Sequence, residues 1–356
     1  MIAASRAVPR ARPRPVPHPI NYRHLADLSD GRGLFEHALH ATPRREHGYC
    51  LDDVARALVV VAREPRPSSV MQQLAETYLR FIEEAIGPDG RVHNRMDATG
   101  AFTDELAMGD WWGRAIGALG FTVAHAQLPA MRIRATRAFL RVTAQRTTEV
   151  RTAAFAVIGA AEVLRVRPSS VAARQFVDDA LGILPLTPVA GWHWPEERLR
   201  YANAALPEAM IAAGDALGDA ALIETGLGYL DFLITAESRD GHLSVTGQAG
   251  RGPGEPGPFF DQQPIEVAAI ADASARAHAI TGDPRWFEGV RRAWGWFTGE
   301  NDVGVPMIDP ETGAGYDGLE PGGRNENRGA ESTLAALGTA QHARALGILG
   351  PWASRW

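Results

Sequence analysis

Apolar residues recur with the period of an α-helix along most of the chain, and they rarely alternate as they would in strands. The helical runs are separated by Pro, Gly, Asp and Ser, residues that begin or end helices. Short apolar stretches around Val92, Leu243 and Val305 are expected to be loop ribbons, so the chain is predicted to be all-α. The pattern predicts eleven helices, at 51–63, 67–86, 105–126, 129–146, 149–165, 169–184, 203–217, 218–236, 264–281, 283–298 and 328–346.

Two kinds of predicted helix alternate along the chain. The runs starting near 51, 105, 149, 203, 264 and 328 are rich in Ala, Gly and Val nearly all round, which is typical of helices buried on most faces. The runs between them, such as MQQLAETYLRFIEEAI, carry charged stripes and are expected to form an outer layer. Buried helices recur about every 44 to 64 residues, which indicates helical hairpins repeated around an axis.

The helix count predicts a closed ring. Six inner helices are matched by five outer ones, and the region 21–40 is expected to supply the missing outer helix and to close the ring against the last inner helix. Residues 21–356 are therefore predicted to form one (α/α)6 barrel, with an open α-solenoid as the alternative. Residues 1–20, rich in Pro and Arg, are expected to be a flexible arm that could contact a partner subunit in a homodimer.

Composition excludes several classes of function. A formal net charge of −6 argues against nucleic-acid binding, which needs an excess of cations, and favours an uncharged substrate. Cys50 is the single cysteine, so an intramolecular disulfide and a thiolate metal cluster are excluded and a cytoplasmic location is expected. No signal peptide or membrane-spanning run is recognisable, so no membrane partner is expected.

Metal and cofactor motifs are not found in the sequence. His47, His93, His193 and His242 do not form HxxxH or HxH pairs. There is no GxSxG elbow, no GxxxxGK[ST] loop, and no GxGxxG after a strand. We therefore expect neither a metal nor a cofactor.

Polar and aromatic residues without a core role concentrate before the inner helices. In such a barrel these loops open at one end, so they are expected to form one cleft. Aromatic rings there could stack on sugar rings while carboxylates, amides and Arg bind hydroxyls. The Gly-rich stretch 247–258 is interpreted as a mobile loop over this cleft. The segments are HGYCLDD, HNRMDATGAFTDELAMGDWWGRA, GWHWPEERLRYANAALPE, GPFFDQQPIE and GYDGLEPGGRNENRGAE.

Candidate substrate-binding residues follow from these loops. The candidate stacking platforms are Tyr49, Trp111, Trp112, Trp192 and Trp194, with core packing as the alternative for Trp112 and Trp192. Trp286, Trp294 and Trp296 lie on an outer helix and are assigned to packing. The polar and remaining candidates are His47, Asp110, Arg114, Tyr201, Asn203, Gln262, Gln263, Asn325, Glu326 and Glu331.

Hydrolysis of a glycosidic bond needs an acid and a second carboxylate. Glu266 begins an otherwise apolar helix, where a buried carboxylate is costly without a purpose, although it could serve as a cap. Asp52 and Asp53 open the first inner helix. Because adjacent helical positions differ by about 100°, one is expected to face the cleft and the other to cap the helix, and the pattern leaves open which does which. Further candidate acids are Glu105, Asp110, Asp261, Glu326 and Glu331, and Asp110 could instead pair with Arg114.

The strings HGYCLDDVARAL (47–58), DWWGRAIGALG (110–120), WHWPEERLRYANAALPEAMIAAG (192–214), FFDQQPIEVAAIADA (259–273) and NENRGAESTLAAL (325–337) resemble the six-hairpin glycosidase superfamily. Within it they are most similar to actinobacterial methylmannose polysaccharide hydrolases. The resemblance implies an inverting, endo-acting α-(1→4)-mannosidase. It also implies that an Asp of LDD, Asp52 or Asp53, and the Glu of QQPIE, Glu266, form the catalytic pair.

Three other functions stay open on this barrel. WGRA also resembles a segment of unsaturated glucuronyl hydrolases, but the sequence shows no basic cluster for a uronate carboxylate. A sugar epimerase or isomerase would use His47 and His193 as acid and base near pH 7. A non-catalytic carbohydrate-binding protein is the remaining alternative.

Overall fold

The computed structural model describes residues 20–257 and 260–349, and these form twelve α-helices. The predicted N-terminal arm lies outside the described residues except for Ile20. None of the described helices is long and apolar enough to span a membrane. The helices are α1 (Arg23–Asp27), α2 (Leu51–Arg63), α3 (Ser69–Ala85), α4 (Asp110–His125), α5 (Pro129–Val142), α6 (Val150–Val166), α7 (Val171–Leu181), α8 (Ala205–Leu217), α9 (Ala220–Ala236), α10 (Pro264–Thr281), α11 (Pro284–Phe297) and α12 (Ala330–Ala345).

The strands are confined to two-residue antiparallel ribbons in the loops. β1 pairs with β2, β3 with β4, β5 with β6, and β7 with β8. The ribbons are β1 (Ala38–Leu39), β2 (Thr42–Pro43), β3 (Tyr49–Cys50), β4 (Arg95–Met96), β5 (Ser238–Arg239), β6 (His242–Leu243), β7 (Leu319–Glu320) and β8 (Gly323–Arg324). The prediction of an all-α chain with loop ribbons is confirmed.

Six helices form a closed inner ring. Contacts run from α2 to α4, α6, α8, α10 and α12 in turn, and α12 returns to α2. Helices α3, α5, α7, α9 and α11 pack outside, each against the inner helix that precedes it. The fold is therefore an (α/α)6 barrel, and the open solenoid is excluded.

Small residues allow the inner helices to approach closely. A Cβ atom on Gly120 of α4 would collide with the carbonyl oxygen of Gly159 on α6, and one on Gly113 would collide with that of Thr152. The outer helices other than α5 instead start at side-chain caps, as where Ser68 accepts a hydrogen bond from the backbone N–H of Met71. Small residues thus allow the close packing of the inner helices, whereas side-chain caps fix where most outer helices begin.

The prediction of a full outer helix in 21–40 is wrong. Helix α1 has only five residues, and Asp30 then accepts hydrogen bonds from the backbone N–H groups of Arg32 and Gly33. Such a local side-chain turn competes with continuation of a helix. The region does pack against α12, so it occupies the expected place with one helical turn and the β1–β2 ribbon.

Polar contacts join the two ends of the ring. Gln341 of α12 donates to the carbonyl oxygen of Val60 on α2 at 2.8 Å and to the hydroxyl of Tyr22 at 3.0 Å. Arg344 of α12 lies 2.7 Å from Glu64, which follows α2. These contacts join the first helices of the barrel to its last helix.

Charged side chains fill the end of the barrel where the inner helices finish. Arg63 lies 2.9 Å from Asp272, which accepts a hydrogen bond from His342 at 2.6 Å. Burial alone would raise the pKa of Asp272, but Arg63 and His342 outweigh it and lower that pKa. Arg276 bridges Glu162 and Glu208 in the same network. Apart from His342, these groups line a cavity of about 170 Å³ whose wall also includes Arg56 and Arg114.

Candidate functional site

One cleft opens where the inner helices begin. Its volume is about 330 Å³, and it combines residues from several loops and first helical turns. It is lined by Asp52, Arg56, Asp110, Arg114, Arg200, Tyr201, Ala202, Thr246, Gly247, Gln248, Gln263, Ile265, Glu266 and Glu331.

Four carboxylates of the cleft lie in the first turns of four inner helices: Asp52 in α2, Asp110 in α4, Glu266 in α10 and Glu331 in α12. The unpaired N–H groups of a helix start give it a partial positive charge that stabilises a carboxylate. The barrel therefore gathers acids where its helices favour them.

Glu266 is 4% exposed, and backbone groups of the preceding hairpin hold its carboxyl group. Its Oε1 accepts a hydrogen bond from the N–H of Ala202, and its Oε2 accepts one from the N–H of Asn203 at 3.3 Å. Burial raises the pKa of Glu266, although these two bonds and Arg151 act in the opposite direction. A carboxyl group that retains its proton more readily is suited to act as a general acid.

Arg56 lies among three carboxylates. Its Nη2 donates to Asp52 at 2.5 Å, and its Nη1 lies 2.7 Å from Asp53 and 2.9 Å from Glu331. The oxygens of these acids come within 4.8 Å of one another, a spacing that could suit a metal ion. Since the guanidinium group already supplies the cation to these three acids, we interpret them as an ion-pair cluster.

The structure distinguishes Asp52 from Asp53. Asp52 lines the cleft, and Arg114 Nε lies 2.8 Å from its Oδ1, although their relative direction is not that of a hydrogen bond. Asp53 is buried away from the cleft, and burial raises its pKa to about 8 despite Arg56. Neither side chain caps α2, so the expectation that one of the two is a helix cap is wrong.

Asp110 anchors the one strongly exposed aromatic residue of the cleft. It accepts hydrogen bonds from Thr152 Oγ1 at 2.8 Å and from the hydroxyl of Tyr201 at 2.7 Å. Burial of the hydroxyl and its bond to Asp110 raise the pKa of Tyr201, while 51% of the residue stays exposed. Arg114 contacts Asp52 and the ring of Phe155, so the alternative of an Asp110–Arg114 pair is wrong.

The tryptophans and Tyr49 do not line the cleft. Tyr49 stacks on Phe35, Trp112 donates from its ring N–H to the carbonyl oxygen of Gly90, and Trp194 is fully buried. Trp192 packs edge-on against Phe232, and Trp111 is partly buried against the core. Trp112, Trp192 and Trp194 pack against the outer helices α7 and α9. None of the five candidates lines the cleft, so the expected stacking platforms are wrong, whereas Trp286, Trp294 and Trp296 are buried as predicted.

The polar candidates divide into cleft and structural residues. Gln263 lines the cleft, whereas Gln262 is buried and bonded to Asp302 and Trp296. Asn203 is buried and reaches Glu266 through its backbone. The remaining candidates, which do not line the cleft, are exposed His47, Glu105, Asp261 and Glu326 and partly buried Asn325.

Sequence reasoning missed several arginines. Arg56 follows Asp52 at i+4, a spacing that could have indicated their ion pair. Arg151 is 6% exposed, pairs with Glu196 and donates to the carbonyl oxygen of Tyr201, so it fixes the loop that carries this tyrosine. Arg200 lines the cleft without an acidic partner among the described residues. Of the predicted mobile loop 247–258, Gly247 and Gln248 line the cleft, while Pro258 lies outside the described residues.

Comparisons with known proteins identify the fold. No family model and no curated protein sequence matches the chain. A sugar epimerase from a ruminal bacterium shares its structure with a TM-score of 0.71 at 15% identity, covering 92% of this chain and 96% of that one. A C. cellulolyticum cellulase in complex with cellobiose gives 0.63 at 9% identity over 90% and 88%. A Bacteroides thetaiotaomicron α-mannanase gives 0.61 at 11% identity over 91% and 94%.

Proposed function

We propose that this protein is a glycoside hydrolase that cleaves an α-linked, mannose-containing oligosaccharide or polysaccharide. One observation carries the proposal: Glu266 and Asp52 share a cleft in which no lining residue is a histidine. A cleft built from carboxylates and arginines suits the acid and base chemistry of glycosidic bonds.

Each carboxylate has a distinct role in this proposal. Glu266 donates its proton to the glycosidic oxygen as the bond breaks, because burial raises its pKa. Asp52, held between Arg56 and Arg114, accepts a proton from the water that attacks the anomeric carbon. The water then supplies the new hydroxyl group, and the leaving sugar takes the proton of Glu266.

The arrangement of the inner helices supports a mechanism that inverts the configuration of the anomeric carbon. Helix α12 lies between α2, which carries Asp52, and α10, which carries Glu266. A whole inner helix between the two favours the wider separation of inverting enzymes, about 6.5–9.5 Å, over the roughly 5 Å of retaining ones. The expected first product from an α-linkage is therefore the β anomer.

The proposed substrate rests on the cleft and on the resemblances together. Tyr201 offers an aromatic face, and Gln248 and Gln263 offer amides to sugar hydroxyls. An α-mannanase is among the proteins with this fold, and the sequence resembles methylmannose polysaccharide hydrolases. We propose α-(1→4)-linked mannose, with methylated forms included, as the first substrates to test.

A sugar epimerase is the second candidate, because a sugar epimerase shares this fold closely. Its proposed acid and base are poorly placed: His47 is exposed outside the cleft, and His193 lies against Tyr229 and Phe232. The observed cleft therefore favours hydrolysis.

The test is incubation with α-mannans, α-glucans, methylated oligosaccharides and unsaturated uronides in deuterium oxide, followed by NMR. New reducing ends that appear first as the β anomer are expected. Deuterium at the carbon beside the anomeric centre without new reducing ends would establish the epimerase instead. Binding without turnover over long incubation would reject both enzymes in favour of a binding protein.

A further inference from the structure

A second pocket adjoins the cleft. It has a volume of about 330 Å³ and lies between the end of α9 and the segment that follows β6. Thr246 lines both the pocket and the cleft, so the two share a wall. The side chains that give the pocket its chemistry are those of Thr235, Ser238, Arg239, Ser244, Thr246 and Arg251, and none of its lining residues is acidic.

Two buried donors at this pocket lack a well-directed protein acceptor. Thr246 is 3% exposed, and its hydroxyl group lies close to the carboxyl group of Glu237 but makes no well-directed hydrogen bond among the described residues. Arg251 donates from Nη1 to the carbonyl oxygen of Ala236, but its buried Nε has no partner there either. Leaving buried donors unpaired costs free energy, so the pair indicates a ligand that brings acceptor oxygens.

Neighbouring acids are already occupied. Asp302 accepts hydrogen bonds from Ser244 and His242, and Glu255 is bound by Arg198. Among the described residues, the acidic partner of Arg239 is its exposed chain neighbour Asp240 at 3.4 Å. Such an exposed ion pair contributes little to the free energy of folding.

Glu237 lies behind Thr246 and does not cancel the charge of the arginines. It is 1% exposed and accepts a hydrogen bond from the backbone N–H of Thr246. Burial and the nearby Glu266 raise the pKa of Glu237 to about 8, although Thr246 and Arg251 act in the opposite direction, so the group is largely neutral at pH 7. The pocket therefore keeps a positive charge from Arg239 and Arg251.

We propose that this pocket binds an acidic group, a carboxylate, sulfate or phosphate, carried by the carbohydrate in the cleft. The proposal rests on the proposed function and specifies that the mannose-containing saccharide carries an acidic substituent or an acidic neighbouring sugar. Because Thr246 separates the two spaces, the acidic group would belong to a sugar next to the bond being cut. The sequence pattern does not indicate this site, because Arg239 and Arg251 come to line one pocket only in the folded chain.

The first experiment measures binding of inorganic sulfate, inorganic phosphate and free glucuronate to the full chain by titration calorimetry. At least one should bind, with affinity that falls as ionic strength rises. Arg251→Gln and Arg239→Gln should weaken binding, the former by about 10- to 100-fold, as expected for a lost charged hydrogen bond. Arg285→Gln, an exposed change on α11, is the matched control and should bind as the wild type does.

Failure to bind any of the three anions, or equal weakening in Arg285→Gln, would overturn the proposal. Arg251 also anchors Ala236, so if Arg251→Gln melts early, Arg239→Gln and Thr246→Val decide the question. A second experiment compares turnover of uronate-bearing, sulfated and neutral oligosaccharides, which separates the anion classes. Anion binding without hydrolysis rejects the proposed function but keeps the pocket, whereas hydrolysis without anion binding or acidic preference rejects the pocket.

Discussion

The backbone N–H of Ala202 donates a hydrogen bond to Oε1 of Glu266 on the neighbouring hairpin. Ala202 has φ of +47°, a conformation that residues other than Gly rarely adopt and that costs about 1–3 kcal/mol. Asn203 stabilises this turn by accepting from the N–H of Arg200 at 2.9 Å. The orientation of the proposed acid therefore depends on a strained loop before α8.

Glu266→Gln should reduce turnover by about 10²- to 10⁴-fold, the usual contribution of general acid–base catalysis. Gln keeps the volume and can still accept from Ala202, but it cannot protonate a leaving group. The melting temperature should stay nearly the same, since a buried acid is replaced by a neutral amide while the N–H of Asn203 loses its acceptor oxygen.

Glu105→Gln, an exposed change outside the cleft, is the control for Glu266→Gln and should keep full turnover. If Glu266→Gln retains more than about a tenth of wild-type turnover, then Glu266 is structural. The acid must then be sought at Asp110 or Glu331.

Asp52→Asn and Asp53→Asn should have different effects. Asp52→Asn removes the proposed base, so turnover should fall by about 10²-fold or more. Asp53 does not line the cleft, and Asn keeps its volume and can still accept a hydrogen bond from Arg56, so Asp53→Asn should leave turnover nearly unchanged. Equal loss of turnover in both variants would show that the Arg56 cluster acts as a unit. Kinetics and thermal melts of the two purified variants provide the comparison.

Tyr201→Ala should weaken oligosaccharide binding about tenfold, on the order of the 0.5–1.5 kcal/mol of an aromatic contact. Since half of Tyr201 is exposed, the melting temperature of the Tyr201→Ala variant should be close to that of the wild type. Tyr201→Phe keeps the ring and loses only the bond to Asp110, so it should bind nearly as well. By contrast, Trp194→Ala should cost about 3–5 kcal/mol of stability, because Trp194 is core. Titration calorimetry with mannose oligosaccharides would contradict the platform role if Tyr201→Ala bound normally.

Glu237→Gln should change the pH dependence of stability. The folded-state pKa of Glu237, about 8, lies above its ordinary 4.5, so the folded protein keeps a proton that the unfolded chain releases. The stability from this group is complete below about pH 4.5 and is lost as pH rises towards 8. The Glu237→Gln variant loses no stability in this way. Its melting temperature, compared with that of the wild type at the same pH, should therefore rise between pH 5 and 8. Glu224 is exposed, so Glu224→Gln is the control, and its difference in melting temperature from the wild type should not change with pH.

The fold could be predicted because the inner helices are apolar all round and the outer ones are not. The bounds of α2 and α10 match their predictions, since Pro, Gly or a change of periodicity marks each end. Helix α4 begins at Asp110 instead of 105 because Ala107 bridges to Val92. Such a contact between distant segments cannot be read from local periodicity.

The site was only partly predictable. The positions of Asp52, Glu266 and Glu331 follow from helix starts that the sequence marks, whereas that of Asp110 does not, because α4 was predicted to begin at 105. The direction of an aromatic side chain in a loop is not marked, so Trp112 and Trp194 were expected in the cleft while Tyr201 provides its exposed ring. The sequence analysis placed Arg251 only within the loop 247–258, because its contact with the carbonyl oxygen of Ala236 at the end of α9 is created by packing.

The join between α12 and α2 has a consequence for biosynthesis. A nascent chain leaves the ribosome from its N-terminus, and Gln341 meets Val60 across 281 residues of sequence. The face of α2 that packs on α12 therefore stays uncovered until α12 has been translated. A chain that terminates early, before α12, would leave α2 and α10 with unpaired apolar faces and should be a substrate for chaperones and proteases.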